Sequence, residues 1–262
     1  MELDTRLVKD RRQLEMRHAE LLVEADVLRR KRGGDGDADA RRNAGLEATR
    51  LKRDALNVVA EIAKINRAIE LLGPITESIN SRLNIVHYHY KNWKDVKETG
   101  TYAGKLSERL GGNGHVNAIK YNAEVIAFLQ NAHALCDSLP YVLNLYLRVV
   151  SFDSRSIGWT QQSIELLETG ARNLGENLLA DRLVAFSKQP LFSKLQDIVN
   201  CAKHKHLVPI FYANGRTVFA ESDGEWKASE TDVHEFMVAV DNVLLPLVLD
   251  MLRLTSQHCP SS

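Results

Sequence analysis

The stretch Asn200-Cys201-Ala202-Lys203-His204-Lys205-His206 gathers an amide, two ammonium groups and two imidazoles within seven residues. Leu195, Ile198 and Val199 read as the core face of the helix that ends here. Asn200, Lys203 and His204, at i, i+3 and i+4, then share another face. Such a trio can bind a phosphate, polarise it and move a proton. A plainer use of Lys and His at a helix C-terminus is to offset the helix dipole. A second constellation is His133 with Asp137, an i, i+4 pair next to Asn131. A carboxylate can orient an imidazole and raise its basicity. The plain alternative is a surface pair worth about 0.3–0.5 kcal/mol. Cys201, His204 and His206 lie close together, but a structural zinc site needs four ligands and no second Cys/His cluster completes it. His87 and His89, two apart on a helix, point to opposite faces. No metal and no cofactor is expected. Gly111-Gly112-Asn113-Gly114 lacks the Lys-Ser/Thr of a phosphate loop and reads as a connection.

These residues need helices to position them. Leu7, Leu14, Leu21 and Leu28 recur every seven residues, while Arg11 and His18 interrupt the companion row. Further on, Ala48, Ala55, Ile62 and Ile69 form one heptad row and Leu51, Val58, Ile65 and Leu72 another. Two apolar rows over four heptads make a coiled-coil seam. Gly33-Gly34-Asp35-Gly36-Asp37 separates the arms, so residues 1–73 are expected to form an antiparallel coiled-coil hairpin. The basic tip around Arg29–Arg32 and Arg41-Arg42 could touch phosphates, although Asp35, Asp37 and Asp39 offset it. Gly73-Pro74 suits a helix start. Amphipathic helices are then expected to about residue 99, over 102–110, over 116–138 with a restart at Pro140, over 160–187, and from Pro190 to His204. Residues 208–213 and 216–221 around Asn214-Gly215 read as a β-hairpin, because Asn-Gly suits a type I′ turn. A final helix over 231–254 is expected to be capped by Ser229 or Thr231 and kinked at Pro246. The fold class is therefore predominantly all-α: the hairpin, then a helical domain over 74–262 with a small β-hairpin inserted near 208–221, before the last helix.

Composition agrees with a folded chain. Of 262 residues, 34 are Lys or Arg and 34 are Asp or Glu, so no global charge draws the protein to nucleic acid, and only a local patch can. Three widely spaced cysteines make neither a disulfide framework nor a CxxC metal site, which points to a reducing compartment. The charged N-terminus has no signal-peptide core, and the longest apolar run, 243–249, falls far short of the ~20 residues that span a bilayer. A cytoplasmic protein with no membrane partner is expected.

Gln130-Asn131-Ala132-His133-Ala134-Leu135-Cys136-Asp137-Ser138-Leu139, followed by Asp197-Ile198-Val199-Asn200-Cys201-Ala202-Lys203-His204-Lys205, resembles the HEPN superfamily. The resemblance is to bacterial branches with an Asn-x-x-Lys-His signature on the penultimate helix, and covers residues 116–254. It implies a helical bundle that forms a homodimer or higher oligomer through the signature region. It also implies a metal-independent endoribonuclease or effector of a phage-defence or toxin–antitoxin system, or a non-catalytic scaffold descended from one. The resemblance puts His204, Asn200 and Lys203 in the catalytic role, and Lys205, His206, Asn131, His133 and Asp137 in contact with RNA or phosphate. Asn200 stands where the nuclease signature usually has arginine, which would fork onto a phosphate. The coiled-coil arm is a candidate site for a protein partner.

Overall fold

The computed structural model describes every residue except 1, 34–36, 99–112, 151–156, 205–209, 214–215, 223–225 and 258–262. The protein is all-α with one small antiparallel sheet, and it divides into two compact units.

The first unit is built from α1 (Glu2–Arg32) and the opening part of α2 (Ala38–Glu98) to Ile75, and it also takes in Val150 and the last two residues of the final helix, Ser256 and Gln257. The short connection between α1 and α2 forces the helices to run antiparallel. Leu7, Leu21 and Ala25 are buried on α1, and Ala48, Ala55, Ile65 and Ala68 on α2. Leu14, Leu28, Arg11 and His18 are half-buried along the same stripe of α1, and Leu51, Val58, Ile62, Ile69 and Leu72 along that of α2. Both heptad rows thus face inward. At the turn end an added Cβ on Gly45 would lie 3.2 Å from the Arg32 side chain.

Gly73-Pro74 does not begin a new helix. α2 continues through it, with Pro74 inside. Proline removes one helical hydrogen bond and crowds the preceding turn, but the flanking turns sustain the helix. Pro140 likewise lies inside α3 (Asn113–Leu147) rather than at a restart. The expected helix over 102–110 and the Asn214-Gly215 turn lie outside the described residues.

The second unit holds the remainder of α2, α3, α4 (Gln161–Asn173), α5 (Asn177–Ser187), α6 (Pro190–His204), α7 (Val233–Ala239), a π-turn (Val240–Leu244) and α8 (Leu245–Gln257). The expected single helix over 160–187 is two helices. Gly175 adopts φ +78°, its N–H donates to the Arg172 carbonyl, and the Glu176 N–H donates to the Ala171 carbonyl. This pair of bonds closes a helix C-terminus at a left-handed glycine. Thr160 caps α4 by accepting from the Ser163 N–H. Two aromatic clusters fill the core: Tyr90, Trp93, Tyr121 and Phe128, and Trp159, Phe186 and Phe192.

The β-hairpin is extended by a third strand. β1 (Ile210–Ala213), β2 (Arg216–Ser222) and β3 (Trp226–Asp232) form an antiparallel meander with Ile210 opposite Phe219 and Ala220 opposite Ala228. A register shift falls between Val218 and Ala220. β3 runs through Ser229 and Thr231, so neither caps the next helix. Asp232 does, accepting from the Glu235 N–H at 2.9 Å. Before Pro246 the helix widens into the π-turn, where the Leu245 N–H reaches the Val240 carbonyl. No described helix is long and apolar enough to cross a membrane.

Candidate functional site

α6 is anchored by its inner face. Phe192, Leu195, Ile198 and Val199 are buried, and the helix packs against α3 and the π-turn. This packing turns Asn200 and Lys203 outward, and both are exposed. His204 is the last residue of α6. Asn200, Lys203 and His204 therefore sit within the last turn and a half of a helix whose opposite side is fixed in the core. Cys201, free and half-buried, flanks them. Lys205 and His206 lie outside the described residues.

The α3 residues take different positions. His133 is 97% buried and stacks against Phe192, with ring centroids 6.5 Å apart and planes at 24°. Its Nδ1 stands 3.1 Å from an Asp137 carboxylate oxygen, off the hydrogen-bonding direction, and neither ring nitrogen has a hydrogen-bond partner. Asn131 donates its amide N–H to the Ala127 carbonyl of its own helix at 2.8 Å. Phe192 precedes His204 by twelve residues. At 1.5 Å per residue that is about 18 Å along α6. His133 therefore packs near the start of α6, and the Asn200–His204 group is at its end. Cys136, one turn beyond Ala132 on α3, is buried, and burial pushes its thiol far above the ordinary range. Its carbonyl accepts from the Trp159 indole N–H.

A polar cluster between α2 and the π-turn was not singled out by spacing. The Tyr90 hydroxyl bonds to Asp241, and the Lys94 ammonium lies 4.5 Å over the Tyr90 ring. Burial raises the Asp241 carboxyl, against the pull of His87, Lys94 and the Tyr90 bond. Burial also raises the Tyr90 phenol, with the Asp241 charge adding to it. Beside it, His234 stacks on Trp93 with centroids 5.4 Å apart, and the Lys97 ammonium donates to His234 Nδ1 at 2.9 Å. Burial first, then the Lys97 charge, lowers the His234 imidazole. His89 turns the other way, with Nδ1 2.6 Å from Glu124. The only sequence signal was an acidic residue at 241 just before an apolar run, which spacing alone cannot match to Tyr90 some 150 positions earlier.

Among the described residues, no three His, Cys, Asp or Glu side chains gather as a metal site. In comparisons with protein-family models, curated proteins and solved structures, nothing matches this chain.

Proposed function

We propose that the chain acts on RNA as a HEPN-like, metal-independent endoribonuclease of a bacterial defence or toxin–antitoxin system, with the C-terminal turns of α6 as the working surface. The observation that supports this is the exposure of Asn200 and Lys203 on a helix pinned by Leu195, Ile198 and Val199. A rigid inner face with an outward amide and ammonium in the turn that ends at His204 is an arrangement a phosphate-directed site can use.

The chemistry is internal transesterification. His204 takes the proton of a ribose 2′-hydroxyl, and the resulting alkoxide attacks the adjacent phosphorus. The bond to the 5′-oxygen breaks, and that oxygen takes up a proton. The products are a 2′,3′-cyclic phosphate and a 5′-hydroxyl. Lys203 stabilises charge on the phosphoryl oxygens, Asn200 donates a hydrogen bond to them, and Lys205 and His206 extend the phosphate contact. A homodimer joined through this region would place two such surfaces side by side.

A second reading, a non-catalytic partner-binding module, draws on a specific observation. Asn200 carries no charge where the resembled signature has arginine, and His133 with Asp137 packs near the other end of α6. One experiment separates the two. Incubated with structured and unstructured RNA, the wild type should leave cyclic phosphate ends. His204→Ala should lower the rate by about 10²–10⁴-fold, with circular dichroism unchanged. Equal cutting by wild type and His204→Ala would remove the chemistry from α6. A silent wild type awakened by Asn200→Arg would favour the module reading.

A further inference from the structure

The first unit has two unlike flanks. Because α1 and α2 run antiparallel, the residue just after the buried stripe on each helix falls on the same side of the seam. On α1 that row is Val8, Glu15, Leu22 and Arg29, and on α2 it is Lys52, Val59 and Asn66, with Leu56 beside it. Val8, Leu22 and Val59 are 41–43% exposed and Leu56 70%. The opposite flank carries Asp10, Arg17 and Glu24 on α1 and Glu47, Asp54 and Glu61 on α2. One side of the hairpin thus sets four exposed apolar side chains among three charges, and the other carries six charges, five of them acidic.

We infer that the apolar flank is a docking surface for a second copy of this chain, closing an antiparallel four-helix bundle. The size fits. Two helices about 45 Å long and 10 Å wide offer a face of roughly 900 Å², against the ~800 Å² per partner of a stable dimer. The charges fit in the middle of the face, while the like-charged turn ends around Arg29–Arg32 meet at a cost. A second hairpin laid face to face, with its turn at the same end, places α1 of one copy over α2 of the other. Counted from residue 35 between the arms, Val8 is 27 positions away and Val59 24, while Glu15 is 20 away and Lys52 17. Both offsets are three residues, about 4.5 Å along the helix. The same placement therefore sets valine over valine and Glu15 over the partner's lysine. Glu15 also keeps an ion pair with Arg11 at 3.4 Å, both side chains being substantially exposed, so it is free to shift towards a stronger partner. In this bundle each helix lies between antiparallel neighbours, which suits the helix dipoles.

The surface is independent of α6 and of any action on RNA. Sedimentation velocity of the full chain at micromolar concentration is expected to show a dimer. Glu15→Lys sets lysine against lysine, and Lys52→Glu sets glutamate against glutamate. Each variant alone should dimerise roughly tenfold more weakly. Mixed in equal amounts, the two should form a dimer as tight as wild type, because every contact is again of opposite sign. A repulsion confined within one chain would not be relieved by mixing. A monomeric wild type, single variants that dimerise like wild type, or a mixture no tighter than its components would each overturn the proposal.

Discussion

His234 shows how much one contact decides. Its ring lies on Trp93 and receives a hydrogen bond from Lys97, so a proton on Nδ1 would lose that bond and face an ammonium. Burial first, and then the Lys97 charge, make the folded imidazole protonate below its ordinary 6.5. As pH falls through 6.5, the unfolded chain takes up a proton that the folded one refuses, and stability declines until the folded value is reached. Chemical denaturation between pH 7.5 and 5 should show this slope, and His234→Gln should flatten it. Asp241 works in the opposite sense but lower, in the carboxylate range, where its raised value adds stability on the acid side. An unchanged slope in His234→Gln would mean another group carries the dependence. At this scale the sequence was partly readable. Asn200 and Lys203 were expected on the outer face of α6 because Leu195, Ile198 and Val199 define the inner one. The separation of His133 from His204 was not readable, since it depends on how α3 and α6 are staggered, and no periodicity within either helix records that.

Among the elements, α4 shows how tightly a helix is seated. Gly170 is buried, and a Cβ there would overlap the Val149 side chain just beyond α3. Val149 is branched at Cβ and has little freedom to turn away. Gly170→Ala gains helix propensity yet should cost about 1–3 kcal/mol through overpacking, visible as a lower denaturation midpoint with the same slope. A rise in stability would show that Val149 yields. The break at Gly175 escaped the helical pattern because Leu174 and Leu178 continue the spacing of Leu167 and Ala171 across it. Both leucines are in fact largely exposed, 41% and 55%, so the apparent stripe was not a core face there. Pro74 and Pro140 misled in the other direction. Each removes a single hydrogen bond, and the adjoining turns of α2 and α3 hold without it. Only the start of the third strand was legible, from Asp223-Gly224 as a second turn signal leading into residues 225–227, because Ala228-Ser229-Glu230 lacks the β-branched alternation that marks a strand.

For the molecule as a whole, the two units make their cores from separate residues. Trp93, Phe128, Leu143, Phe186 and Met237 are buried within the second, and Leu7, Ala25, Ala55 and Ile65 within the first. A chain beginning at Thr76 should therefore stay helical and melt cooperatively. Loss of the cooperative transition in that chain would place part of the core in the hairpin. The seam was legible from residue types alone, since both of its rows persist for four heptads. The packing of the second unit was not, because it rests on contacts such as Tyr90 with Phe128 and Trp159 with Phe192, whose partners lie far apart in sequence.

The π-turn has a meaning beyond its hydrogen bonds. It is a phase setting. Each residue of an α-helix advances the side-chain direction by about 100°, so the wider turn at Val240–Leu244 fixes the angle at which everything after it meets the core. A π-turn holds one residue more than an α-turn, so removing the exposed Asn242 would let the chain close into an unbroken helix with Val248, Met251 and Leu254 still facing the interior. The same removal one turn later, inside α8, has no such slack and would swing every residue after it by about 100°. This stretch thus carries a spare residue that the α-helical turns on either side of it do not.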